Sequence, residues 1–264
     1  LPARGTAPSA PRPPSRARRP RSTREGTLSA SLPWLRASGA LLETASGQPV
    51  ILRGLSATPA DPPGAALGLL RRAGIGTGAA CIWVDLIARP EITADSPALD
   101  AAIACHAETG AYTVLHTDAP LTLASRYADE PAVLFSLAGN AAALPALLAA
   151  LRAVHPRALV LVPATADVLP GTVLRWDLAD GLPARIAPTP HQPMLIAGWQ
   201  PMRTSAFGNE RLMQLCGRAG ISWIAADAAP WMRIHRGVED WSRAAHAVLR
   251  ALVISAGFVA PGMA

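Results

Sequence analysis

A chain of 264 residues, half of them hydrophobic and only 16% charged, is long enough to bury a substantial core and should expose few charges. The net charge of +6 is not a property of the whole chain: seven arginines precede the first acid, Glu25, so residues 1–24 carry +7 while the remainder sets 17 arginines against 18 acids. Cys81, Cys105 and Cys216 are scattered, which excludes a disulfide framework and any zinc-ligand spacing.

All basic residues are arginine, none lysine. Their concentration in residues 1–30, beside many prolines and serines, predicts a disordered tail ahead of one folded domain over residues 31–264. The tail reads first as a solvated linker. Its alternative use is to touch an acidic protein or anionic surface. No specific nucleic-acid motif accompanies it. The sequence opens on Leu1 with no signal-peptide pattern, which is compatible with a leader removed upstream.

In chain order, residues 32–56 predict a small β-hairpin turning at Ser46-Gly47 and leading into a first buried strand, Val50–Leu55. Seven further strands are expected over Ala79–Val84, Ala111–Leu115, Ala132–Leu137, Ala158–Val162, Thr172–Trp176, Pro193–Ala197 and Ile221–Ala225. Helical patterns lie between them at Ala65–Ala73, Pro97–Thr109, Ala142–Val154 and Ser205–Ala219, with a last one at Glu239–Ser255. "RRAG" (71–74) and "GRAG" (217–220) each close a helix on glycine before a strand, the usual helix terminator.

Strands alternating with helices imply βα units and a parallel sheet, and eight such units in this length fit a compact (β/α)8 TIM barrel of the α/β class. The links after strands five and six are too short for full helices. An open doubly wound sheet is the alternative, since "GIGTGA" (74–79) resembles a dinucleotide fingerprint. That segment follows a helix and precedes a strand, the reverse of what the fingerprint needs. Residues 131–151 carry no charge, but Gly139, Asn140 and Pro145 interrupt the run, which favours strand–turn–helix over a membrane span.

In such a barrel, chemistry sits at the C-terminal strand ends. Those ends offer Ser56, Asp85, His116 with Asp118, Asn140, Asp177 with Asp180, Gly198 with Trp199, and Asp227. No G-x-S-x-G elbow, phosphate loop or H-E-x-x-H helix occurs, and neither a metal nor an organic cofactor is implied.

Several stretches, taken in order, carry a resemblance. "WLRASGALLETASGQPVILRGLS", "LLRRAGIGTGAA", "AETGAYTVLHTD", "YADEPAVLFSLAGN", "HQPMLIAGWQ" and "AGISWIAAD" together resemble glycoside hydrolase family 5, the cellulase-type barrels, over residues 33–255. The resemblance implies a (β/α)8 fold, O-glycosyl hydrolysis by a retaining mechanism, carbohydrate ligands and a secreted or periplasmic setting.

It also implies what is missing. The family's acid/base glutamate follows the strand-four Asn, and Ala141 follows Asn140. The nucleophile position falls on Gly198, and the arginine of strand two either aligns with Ala79 or is absent. Retaining hydrolysis needs one carboxyl to protonate the leaving oxygen and another to attack the anomeric carbon. The expectation is therefore a pseudoenzyme that binds polysaccharide or serves as a scaffold. The alternatives are a hydrolase using Asp118, Asp177 and Asp227, or a protein-interaction barrel acting through its basic tail.

The individual residues admit two readings each. Asn140 suits either a turn or a sugar hydroxyl. The aspartates suit either a replacement acidic site or helix caps. Seven tryptophans against two tyrosines and three phenylalanines suggest sugar-stacking faces, with Trp83, Trp176 and Trp199 as candidates beside His116, or else core packing.

Overall fold

A computed structural model describes residues 32–57, 68, 70–71, 75, 79–164, 168–178, 190–200 and 206–226. The expected tail, the helix at Glu239–Ser255, Asp180 and Asp227 lie outside the described residues, as does most of the helix at Ala65–Ala73 and of the link after the sixth barrel strand.

The described residues begin with a three-stranded antiparallel sheet, β1 (Leu35–Ser38), β2 (Leu41–Thr44) and β3 (Pro49–Val50). Gly47 turns between β2 and β3 at φ 83, as the Ser46-Gly47 signal suggests. Val50 pairs with Leu42 in this small sheet rather than starting the barrel. The first barrel strand, β4, is Arg53–Ser56.

The remaining barrel strands are β5 (Ala80–Asp85), β6 (Ala111–Thr117), β7 (Val133–Leu137), β8 (Val160–Pro163), β9 (Thr172–Asp177), β10 (Met194–Trp199) and β11 (Ser222–Ala225). All pair in parallel and in chain order, and β11 closes on β4. Each expected strand is present within a few residues of its expected ends. Short apolar runs were a sufficient signal because both faces of these strands are covered.

The described helices are α1 (Pro97–Glu108), α2 (Pro120–Arg126), α3 (Leu144–Val154) and α4 (Ala206–Ala219). Proline occupies the first turn of α1, α2 and α3, where its missing N–H costs nothing. α1 buries Leu99, Ala102, Ile103 and His106 along one stripe, and α3 buries Leu144, Leu148 and Leu151. Gly220, at φ 67, follows α4 as "GRAG" predicts. α2 has no counterpart in the sequence reading: seven residues hold too few apolar repeats to register as a helix. No helix occurs between β8 and β9 among the described residues.

Strand alternation separates two apolar clusters. One lies between strands and helices and includes Leu55, Ile82, Leu115, Phe135, Val160 and Ile196. The other fills the barrel. At its N-terminal end, Leu35 and Leu42 from the small sheet meet Leu52 and Tyr112, whose hydroxyl donates to Pro33 O at 2.7 Å. The antiparallel sheet therefore plugs the bottom of the barrel. A Cβ on Gly54 would overlap Cys81 O and Sγ, so β4 and β5 approach closely only because residue 54 has no side chain. Above that layer the interior turns polar. No described helix is long and apolar enough to cross a membrane.

Candidate functional site at the barrel mouth

At the C-terminal strand ends the interior is occupied by Trp83 on β5, His116 on β6, Ser136 on β7, and Arg175 with Asp177 on β9. Arg175 and Asp177 are two residues apart, so both point to the same face of β9.

Arg175 is the hub, and its side chain is only 8% exposed. Nη1 donates to Ser136 Oγ at 2.6 Å and to Leu137 O at 3.1 Å, and Nε donates to Asp177 Oδ2 at 3.1 Å. Nη1 also lies 3.1 Å from His116 Nδ1. The guanidinium carbon sits 5.8 Å from the centre of the Trp83 ring. A buried cation is costly unless it is paired and hydrogen-bonded, and this one is both.

The His116 ring lies over Trp83, with centroids 4.9 Å apart and planes tilted by 30°. Its Nδ1 is 3.2 Å from Ser136 O as well as 3.1 Å from Arg175. One neutral tautomer donates to the carbonyl and the other accepts from the guanidinium. The imidazolium is disfavoured in both cases. Burial lowers the His116 pKa most, the Arg175 charge lowers it further, and Asp85 and Asp177 oppose the shift.

The other expected residues are placed differently. Asp85 Oδ1 accepts from the backbone N–H of Ile87 and of Ala88, both at 3.1 Å, so it shapes the loop leaving β5. Asp118 is exposed, and His116 takes Ser136 and Arg175 as its partners rather than Asp118. Asn140 Oδ1 accepts from Ala142 N at 3.1 Å and caps the 3-10 turn at Ala141–Ala143. Trp176 lies on the opposite face of β9 from Arg175, and its buried indole N–H has no partner among the described residues.

Trp199 is fully buried. It donates Nε1–H to Asn209 Oδ1 at 2.9 Å and meets Trp223 edge-on with centroids 5.4 Å apart. Its place is the layer between strands and helices, not the mouth. Gly198, just before it, has φ 69 where the β10–β11 register shifts. Ala141 opens the 3-10 turn with a methyl group. No cluster of three or more metal-ligating side chains exists among the described residues.

The structure thus joins Trp83, His116 and Asp177, which the sequence singles out, through Arg175 and Ser136, which it does not. The signal for Arg175 is a charged residue set between apolar neighbours (Val173, Leu174 and Trp176) in a strand, which has to find a partner in the interior.

A cellulase superposes with a TM-score of 0.64 at 14% identity, covering 86% of this chain and 94% of that chain. A β-glucanase of Saccharophagus degradans in complex with cellotetraose gives 0.66 at 11% identity, covering 86% and 94%. A β-mannanase of Thermomonospora fusca in complex with mannotriose gives 0.53 at 13% identity, covering 85% and 97%. No family model matches the sequence, and no curated protein does. The class defined is a (β/α)8 barrel, the fold that these cellulase, glucanase and mannanase structures also have. At this level of identity the likeness concerns the fold.

Proposed function

We propose that the chain binds carbohydrate at the barrel mouth and does not hydrolyse it. The observation that carries this reading is the composition of the mouth. An aromatic and polar layer of Trp83, His116, Ser136, Arg175 and Asp177 occupies the strand ends, while positions 141 and 198 hold an alanine and a glycine. Within that layer Asp177 is half exposed and able to accept from a sugar hydroxyl, and His116 is partly exposed beside it, while the buried Ser136 and Arg175 hold the two in place. The backbone at Gly198 supports the loss of the nucleophile: φ 69 favours glycine and strains any residue with a side chain. The cellotetraose and mannotriose complexes of proteins sharing the fold support the choice of ligand class.

Titration calorimetry with cellotetraose, mannotriose and bacterial exopolysaccharides tests the binding, and aryl-glycoside turnover tests the inactivity. Saturable binding without turnover is the expected result. Turnover lost in Asp177→Asn favours the second reading, a hydrolase using a non-standard carboxylate. Its support is that Asp177 stands at the mouth beside Arg175. Asp118 and Asp227 remain its other candidates.

A further inference from the structure

At the end of the barrel opposite the mouth, the small sheet, the last turn of α3 and the segments entering β8 and β9 border an open surface pocket of about 430 Å3. That is the size of a small-molecule site. Ala37 and Pro156 give it an apolar wall, and Arg36, Arg152 and Arg157 supply its charge; none of the described residues lining it is acidic.

Two of these cations are held in place. Arg152 Nη2 donates to Pro170 O at 2.6 Å and lies so close to Gly171 that a Cβ there would come within 2.8 Å of it. The Arg157 guanidinium stacks 4.4 Å from the centre of the Trp34 ring, whose indole also meets His155 edge-on at 5.6 Å.

Carboxylate compensation is thin. Arg36 pairs with Glu43 at 3.2 Å on the neighbouring strand. Arg157 reaches Asp129 only at 4.0 Å, with both side chains well exposed, and exposed pairs of this kind contribute little. Arg152 has no carboxylate partner among the described residues.

We propose that this pocket is a binding site for a small organic oxyanion, a phosphate ester or a carboxylic acid. Arg152 and Arg157 hold the anionic group, and the carbon skeleton lies against Ala37 and Pro156. Arginine suits the task because its planar fork matches both oxyanions. The site is separate from the mouth and does not depend on the sugar reading.

Calorimetric titration of the full chain with glucose 6-phosphate, glucuronate, inorganic phosphate and neutral glucose tests it. One organic anion should saturate a single site, at least about threefold tighter than inorganic phosphate, and lose affinity as salt rises. Whether glucose 6-phosphate or glucuronate binds tighter identifies the anionic group. Ala45 is exposed on the pocket rim, so Ala45→Glu should fold normally, as a thermal melt would show, while placing a carboxylate among the arginines. Ala45→Glu and the double variant Arg152→Gln/Arg157→Gln should each weaken binding about tenfold or more. Absence of binding by both organic anions at about 10 mM, equal binding of neutral glucose or inorganic phosphate, or affinity unchanged in Ala45→Glu would overturn the proposal.

Discussion

Arg175 on β9 donates to the Ser136 hydroxyl on β7 at 2.6 Å, crossing the barrel interior past β8. This bond and the contact with Asp177 neutralise and fix a cation that the apolar layers beneath could not hold. Arg175→Met would leave Ser136, Leu137 O and Asp177 without their donor. It should cost about 3 kcal/mol by denaturant unfolding, within the range for breaking a buried pair. Ser136→Ala removes one acceptor of several and should cost about 1 kcal/mol. The two losses should not add, since both remove the same bond. A double-mutant cycle giving additive effects would show that the bond carries no coupling.

Gly198 and Ala141 should respond oppositely to a restored carboxyl. Gly198→Glu forces a side chain onto φ 69 and should lower stability by about 1–2 kcal/mol. Ala141→Glu, at the start of an exposed 3-10 turn, should stay within about 0.5 kcal/mol. Neither variant, nor the pair combined, is expected to hydrolyse aryl-glycosides, because the β10 backbone would still be bent away from strand geometry. Measurable turnover in the combined variant would show that the two positions retain a working geometry.

What could be read from the sequence follows from how each feature is encoded. The eight strands are apolar runs buried on both faces, a signal that survives in a single sequence, and glycine after α4 marks a helix end by local conformation alone. α2 leaves no such signal, because Pro120–Arg126 is a two-turn helix held by packing of Leu123 and Ala124 and has no repeat. The mouth was half legible. His116 and Asp177 stand out as polar residues at strand ends, but Arg175 and Ser136 sit inside strands, and their pairing depends on the register across three strands. Trp199 shows the opposite failure: its position along the chain suggests a strand end, and only the tertiary packing shows an indole enclosed by Trp223 and Asn209.

That enclosure separates Trp199 from the mouth in an experiment. Asn209→Leu leaves a buried indole N–H without its acceptor and should cost about 1–3 kcal/mol. Sugar affinity should be unchanged, because the bond lies in the layer outside the barrel. His116→Ala should do the reverse, lowering sugar affinity with a smaller loss of stability. Calorimetry and urea titration on both variants separate the two roles; an equal loss of affinity in Asn209→Leu would return Trp199 to the ligand site.

Acid should destabilise the protein through buried histidines, and His106 gives the clearest case. Its Nδ1 lies 2.9 Å from Thr113 Oγ1 in the α1–β6 interface, and burial lowers its pKa to about 4 from 6.5. The folded state therefore binds the proton less readily than the unfolded chain. The stability tied to neutral His106 is complete above the unfolded pKa of 6.5 and is lost as pH falls from there to about 4. The shift corresponds to about 3 kcal/mol. His116 and His155 are shifted in the same direction and add to the trend. His106→Asn keeps a hydrogen-bonding group near Thr113 without a titrating ring. Its unfolding free energy should start lower at pH 7 but fall less between pH 7 and pH 4 than that of the unmodified protein. Parallel pH dependence in the two proteins would remove His106 as the source.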